Sequence, residues 1–441
     1  MAFGMHLPGR LRLIGRALRH RNYRLFFAGQ SVSLVGTWLT RVATGWLVYR
    51  LTGSAFMLGI VSFASQLPTL LLGPFAGVWV DRWSRHRVLV WTQVLAMLQS
   101  ALLALFALRG TISVPHVIVL NLLQGVITAF DMPARQAFLI EMVDRADLPN
   151  AVALNSSMLN GARLLGPAAA GLLIASFGEG YCFLIDAISY AAVIASLLAM
   201  RLPPAIEHRG HGPLWAEVRA GFAYVTQNMP IRALLMLLAL ISVLGTPYTV
   251  LMPLIASRVL HGNAGTLGAL SAASGLGALT GALYLASRST VIGLGRIILA
   301  SAFLFGVALI GLGQSQMLWL SLPFSALAGL TMMVQMAASN TVIQTLADED
   351  KRGRVMSFFS MAVFGMTPFG SLMAGALADR LGAGRTLLAC GVVCALGAIL
   401  FMRALPELRR QVRPIYQRLG ILPELASGIQ TATQASTQAT S

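Results

Sequence analysis

Twelve long apolar runs recur along the chain, near 24–49, 55–80, 88–108, 114–138, 152–176, 181–200, 232–256, 265–287, 296–313, 317–346, 355–378 and 386–404, with short polar breaks between them. A helix needs about 20 apolar residues to cross hydrocarbon, so the pattern predicts an all-α membrane protein of twelve transmembrane helices. The widest break, at 201–231, holds Pro203, Pro204, Gly210, Gly212 and Pro213. The segment that follows them, 214–224, is expected as an amphipathic interfacial helix. The breaks divide the chain into a basic arm (1–22), a six-helix bundle (23–200), a linker (201–231), a second six-helix bundle (232–404) and a tail (405–441). From about residue 426 the tail is rich in Ala, Thr, Gln and Ser and is expected to be disordered.

The two halves are related by a constant shift of 204 residues. Gly73 and Gly77 map onto Gly277 and Gly281, Gly125 onto Gly329, Gly161 onto Gly365, Gly166 onto Gly370 and Gly171 onto Gly375. Tandem six-helix repeats are a transporter architecture, with the substrate bound between the halves near the midplane. The expected fold is therefore two pseudo-symmetric bundles.

Composition agrees with a lipid solvent. Of 441 residues 56% are hydrophobic and 11% charged, against about 25% charged in soluble domains. The net charge of +17 would suggest nucleic acid in a soluble protein. Here topology explains it. With the N-terminus inside, only Arg50, Arg109, Arg258, Arg380 and Arg385 fall outside, and Arg41 and Arg163 fall within spans; the rest of the 32 Lys and Arg gather with the termini. This positive-inside bias predicts two cytoplasmic termini in an inner membrane and no nucleic-acid partner. Cys182, Cys390 and Cys394 lie in apolar runs and are read as core residues.

Polar residues inside the spans mark the chemistry. Gln30, Ser33, Thr37, Arg41 and Thr44 share one face of the first helix, and Asn121, Gln124, Thr128, Asp131 and Arg135 one face of the fourth. Such faces avoid lipid and are expected to line a substrate cavity. In the tenth helix Met332, Gln335 and Met336 offer an adaptable wall. Ionisable groups within a span cost about 2.5–3.5 kcal/mol each, so each needs a role. Depth along the normal pairs Arg41 with Asp186 and Asp131 with Arg163. Asp131 is the first candidate for proton coupling, followed by Asp186 and Glu141.

Two motifs suggest a conformational switch. Gly77-Val-Trp-Val-Asp81-Arg82-Trp-Ser-Arg85 follows the second helix, and Gly161-Ala-Arg163-Leu-Leu-Gly166-Pro167-Ala-Ala-Ala-Gly171 lies in the fifth. Glycine permits close helix approach, and Pro with Gly bends a membrane helix. The first resembles the loop 2–3 motif of the major facilitator superfamily, with Ser84 in place of a glycine; the resemblance implies that Asp81 helps hold the two halves together on the cytoplasmic side. The second resembles the helix 5 motif of exporters in that superfamily, with Ala170 replacing a glycine. With Asn22-Tyr-Arg24, Arg41-Val-Ala-Thr-Gly-Trp46, Ala129-Phe-Asp131-Met-Pro133-Ala-Arg135 and Asp350-Lys-Arg352-Gly353-Arg354, the chain resembles the branch that holds the enterobactin exporter and macrolide-efflux proteins, the transmembrane secretion effectors.

The resemblance implies a proton-coupled secondary transporter, monomeric and without cofactor or metal, that expels a hydrophobic or amphipathic small molecule. An importer or a non-transporting receptor is the alternative. ATP-driven transport is disfavoured, because the one lysine, Lys351, does not sit in a phosphate-binding loop. An intramembrane enzyme is not expected: six histidines fall in tails or loops, and His116 lies at a helix end.

Overall fold

The computed structural model describes residues 15–201, 222–245, 247–288, 290–349 and 351–418. Most of the basic arm, most of the expected 214–224 helix, the distal tail and the side chain of Asp81 lie outside the described residues. Twelve long helices run through the described chain, one for each apolar run: α1 (Arg21–Thr52), α2 (Ala55–Arg82), α3 (Arg85–Leu108), α4 (Val114–Glu141), α5 (Leu148–Phe177), α6 (Glu179–Leu198), α7 (Met229–Val259), α8 (Ala264–Ala286), α9 (Leu294–Gln314), α10 (Leu318–Leu346), α11 (Arg352–Leu381) and α12 (Ala383–Arg418). Eleven of these helices are long and apolar enough to cross a membrane. The other, α1, has 32 residues, and its polar residues dilute an otherwise sufficient span.

Local chemistry sets the ends. Ser54 caps α2 by accepting from Met57 N at 3.3 Å, and Asn263 and Thr266 close a capping box at the start of α8. The chain leaves α1 through Gly53 at φ +62°, a left-handed conformation that glycine adopts without steric cost. Two helices of the second half are irregular: α7 ends in a π-turn at Ile255–Val259, just after Pro253, and α11 contains one at Met361–Gly365, just before Pro368. Proline lacks the donor that a regular ladder needs, so the helix widens beside it.

Packing follows the repeat. In the first half α1 lies on α5 and α6, α2 on α4, and α3 on α4 and α6. In the second, α7 lies on α12, α8 on α10, and α9 on α10 and α12. Among the shifted pairs, Gly166 with Gly370 and Gly171 with Gly375 sit at equivalent seams. A Cβ on Gly166 would strike Val35 and Trp38 of α1, and one on Gly370 would strike Val243 of α7. Gly171 meets Gly268 of α8, while Gly375 meets Ala55 of α2. The halves join along α2–α11 and α5–α8. An even number of passes puts both ends of the described chain on one face, called here the terminal face; the opposite one is the far face.

Candidate functional site

The face of α1 formed by Trp38, Arg41, Gly45 and Tyr49 turns toward the seam between the halves. A Cβ on Gly45 would meet Pro253 of α7 at 3.5 Å, and Tyr49 Oη donates to Ser257 Oγ of α7 at 3.0 Å. One turn nearer the terminal face, Arg41 is exposed. Because α1 is packed against α2, α5, α6 and α7, that exposure is to the space between the halves. The Arg41 guanidinium lies 4.6 Å from the centroid of the Trp38 ring, and that of Arg163, on α5, lies 6.0 Å from the same ring. Gly166 seats the indole, since its bare Cα allows Trp38 Cβ close against α5. At about 1.5 Å per residue, Arg163 lies at the middle of its helix and Arg41 about 7 Å farther toward the far face. Neither guanidinium has an ion-pair partner among the described residues.

The carboxylates are engaged elsewhere, which corrects both expected pairs. Asp186 accepts from Thr40 Oγ1 of α1 and Ser100 Oγ of α3, each at 2.8 Å. A Cβ on Gly36 would come within 2.7 Å of its Oδ1, so glycine there leaves room for the carboxylate. Thr40 and Arg41 are adjacent, yet about 100° apart around the helix, and only Thr40 faces α6. Asp131 turns to α3, accepting from Thr92 Oγ1 at 3.0 Å and Gln93 Nε2 at 2.7 Å, and pairs with Arg135 one turn along its own helix. Depth was estimated from helix rise, which says nothing about azimuth; Arg135 reaches Asp131 and Arg163 does not. Glu141 sits at the terminal face, 2.6 Å from Arg85 Nη1.

The polar stripes face protein more than a cavity. Gln30, Ser33 and Thr44 are buried, and Thr37 Oγ1 lies 3.5 Å from Tyr190 Oη of α6. On α4, Asn121 and Thr128 donate to their own backbone, and half-buried Gln124 keeps an Oε1 without a partner among the described residues. On α10, Met332 and Met336 are half-buried, whereas Gln335 is buried, its Nε2 without a partner among the described residues.

The switch candidates divide by location. At the far face and down to mid-depth the halves touch backbone to backbone. Added Cβ atoms would meet Ala55 O at 2.6 Å from Gly375, Ser371 O at 2.7 Å from Gly59, Gly268 Cα at 2.8 Å from Gly171, and Arg163 O at 2.6 Å from Gly275. Nearer the terminal face, Gly77 and Gly161 have nothing within 4 Å of such a Cβ, and Arg82 and Trp83 are exposed. Pro167 and Gly166 are buried within α5 on the seam side and the α1 side respectively, Pro167 O lying 2.9 Å from a Cβ on Gly268. The close contacts between the halves among the described residues thus lie at the far face and mid-depth, and Gly77 near the terminal face meets none.

A residue that sequence reasoning missed locks the closed end. Asp379 of α11 accepts from Ser54 Oγ at 2.6 Å, Ala55 N at 2.7 Å and Phe56 N at 3.2 Å, so its carboxylate caps the positive end of α2. Beside it, Arg258 Nη2 donates to Gly53 O at 2.7 Å. The signal was present in the sequence: Gly375-Ala-Leu-Ala-Asp379-Arg380 repeats the spacing of Gly77-Val-Trp-Val-Asp81-Arg82, on the opposite face and outside the 204-residue register.

Comparison with known proteins follows from this geometry. The model of the transmembrane secretion effector family matches residues 16–417. The staphyloferrin A transporter of Staphylococcus aureus is 28% identical over 371 residues, spanning 84% of this chain and 92% of that protein. The multidrug efflux pump Tap of Mycobacterium tuberculosis is 31% identical over 393 residues, spanning 87% and 91%. Among solved structures, a bacterial homolog of the human lysosomal transporter Spinster, inward-facing and unoccupied, superposes with a TM-score of 0.67 at 14% identity, covering 87% of this chain and 97% of that one.

Proposed function

This chain belongs to the transmembrane secretion effector family of major facilitator transporters, and we propose that it exports an amphipathic small molecule in exchange for protons by alternating access. The positive-inside bias puts the terminal face in the cytoplasm of a bacterium, with bundles at 23–200 and 232–404 joined by the 201–231 linker. The observation that carries the reading is the asymmetry of the seam. Backbone contacts join the far-face half of the seam along α2–α11 and α5–α8, while Gly77, near the terminal face, has nothing within 4 Å of an added Cβ. That is an inward-open transporter, with contact surfaces ready for the opposite state. The names of the two relatives, a staphyloferrin A transporter and a multidrug efflux pump, support a small-molecule substrate, and the second supports export.

Asp186 and Asp131 are the candidates for proton exchange. Asp131 is bound into an ion pair with Arg135. Asp186 is held by two hydroxyl groups and no cation, so it can gain or lose a proton without breaking an ion pair. We assign it the coupling role ahead of Asp131, and Glu141, paired with surface Arg85, comes last. The test is uptake of fluorescent amphipathic compounds into inside-out proteoliposomes with an acidic lumen. Accumulation that collapses with the pH gradient supports proton-coupled efflux; accumulation only under the reversed gradient indicates import.

A further inference from the structure

We propose that Arg41, Arg163 and Trp38 form the recognition site for an oxyanion, so that the exported solute carries a carboxylate or phosphate. This deepens the export reading above and rests on it for the word solute. The argument begins with charge. Two guanidiniums share one indole near the middle of the membrane domain, and no described carboxylate reaches either. The described acidic groups on the helices are engaged elsewhere: Asp131 by Arg135, Asp186 through Oδ2 by Thr40 and Ser100, Glu179 by Arg50, Glu141 by Arg85, Asp379 by the end of α2, and Glu407 by Arg410. The side chain of Asp81 is not described, but at about 1.5 Å per residue it lies about 19 Å from the middle of α2, near the terminal face. Two like charges at this depth are costly and repel one another, so their retention points to a counter-ion that arrives from outside the chain.

Geometry adds direction. A guanidinium lying over an aromatic ring is held by its face, and its N–H edge stays free for the two parallel hydrogen bonds that a carboxylate or phosphate accepts. Arg41 is exposed to the space between the halves, one turn below the α1–α7 contact at Gly45 and Pro253. The backbone of Arg163 forms part of the α5–α8 seam through Gly275. An anion bridging the two arginines would sit at the inner end of the cytoplasmic opening, touching both seams that must rearrange. Neutralising the pair removes a repulsion at that hinge line, which ties occupancy to the conformational change.

The experiment is equilibrium binding, followed by naphthyl fluorescence, to the full chain in phosphatidylcholine nanodiscs. Four probes share one apolar body: 1-naphthoate, 1-naphthyl phosphate, 1-naphthalenemethanol and 1-naphthylmethylamine. The expected result is binding of one or both anions at least tenfold tighter than of the alcohol, and no binding of the amine. Arg41→Gln and Arg163→Gln should each weaken the anion tenfold or more and leave the alcohol unchanged, while Arg163→Lys restores part of the loss. Equal affinity for all four, preference for the amine, absence of anion binding, or indifference to both Gln variants overturns the proposal. Adding phosphatidylglycerol distinguishes a solute site from a lipid-headgroup site: loss of the anion signal would assign the arginines to lipid and overturn the solute reading. Anion binding without gradient-driven flux would leave the site standing and remove the export reading, whereas flux of neutral compounds indifferent to both arginines would do the reverse.

Discussion

At the residue scale, the described carboxylates differ in what they hold, and that difference makes them separable. Asp186→Asn keeps an acceptor for Thr40 and Ser100 but cannot carry a proton. Uphill flux should vanish while downhill exchange and the melting temperature stay near wild type; retained uphill flux in reconstituted vesicles would remove Asp186 from the coupling role. Asp131→Asn instead strands Arg135 in a partly buried setting, a change that costs about 3 kcal/mol where such pairs are well buried. A drop in thermal stability should therefore precede any change in coupling. Asp147 offers a pH test outside the spans. Its side chain is fully buried at the start of α5, with His20 Nε2 at 2.8 Å, Arg19 at 2.7 Å and Arg16 at 3.2 Å. The hydrogen bond from His20, then the charges of Arg19 and Arg16, hold its carboxyl below the usual carboxylate range. A depressed folded value stabilises at every pH above the unfolded value, about 3.9, and the contribution fades as pH falls through the folded one. The melting gap between wild type and Asp147→Asn should be full at pH 7 and close below about pH 4; a gap that widens on acidification would contradict the anchor. Little of this was legible in the sequence. Charge and depth were, but azimuth was not, and azimuth decides that Asp186 meets Thr40 and not Arg41.

At the element scale, the glycines sort by what they touch. Gly77 has no neighbour in this state, so Gly77→Leu should fold normally and fail to reach the state closed at the terminal face. A cysteine placed at Gln344, at the terminal-face end of α10, would then stay reactive to a bulky maleimide under all conditions; protection equal to wild type would sink the interpretation. Gly166 behaves differently from its motif neighbour. It packs on Trp38 of α1 within one half, so Gly166→Leu overpacks that half, by about 1–3 kcal/mol, and should lower stability before it affects switching. The helix 5 motif named the right helix but mixed two roles. Gly171 and Gly275 work the seam, while Gly166 and Trp38 shape the dication. The offset of 204 residues was informative for pairs that serve equivalent seams: Gly166 with α1 and Gly370 with α7, Gly171 with α8 and Gly375 with α2; Gly73, Gly77 and Gly161 meet nothing where their counterparts are packed. It hid Asp379, since that copy of the Gly-x-x-x-Asp-Arg spacing lies outside the register.

At the scale of the whole molecule, twelve apolar runs became twelve helices, because hydrocarbon enforces internal hydrogen bonding and leaves hydropathy little ambiguity. Which end is open could not be read from hydropathy, as both states bury the same runs. The central claim is that one closure exchanges for the other. Asp379 caps α2 at the far face, and the resemblance implies the same duty for Asp81 at the terminal face when the seam reverses. The most direct measurement is a pair of spin-label distances in reconstituted protein, one across the far face between Leu51 and Leu381, both exposed, and one across the terminal face between Gln136 and Gln344, likewise exposed. The account predicts opposite changes as pH is varied: the far-face distance lengthens in the population whose terminal-face distance shortens, and Asp379→Asn enlarges that population. Distances that remain fixed in both pairs, or that lengthen together, would contradict it.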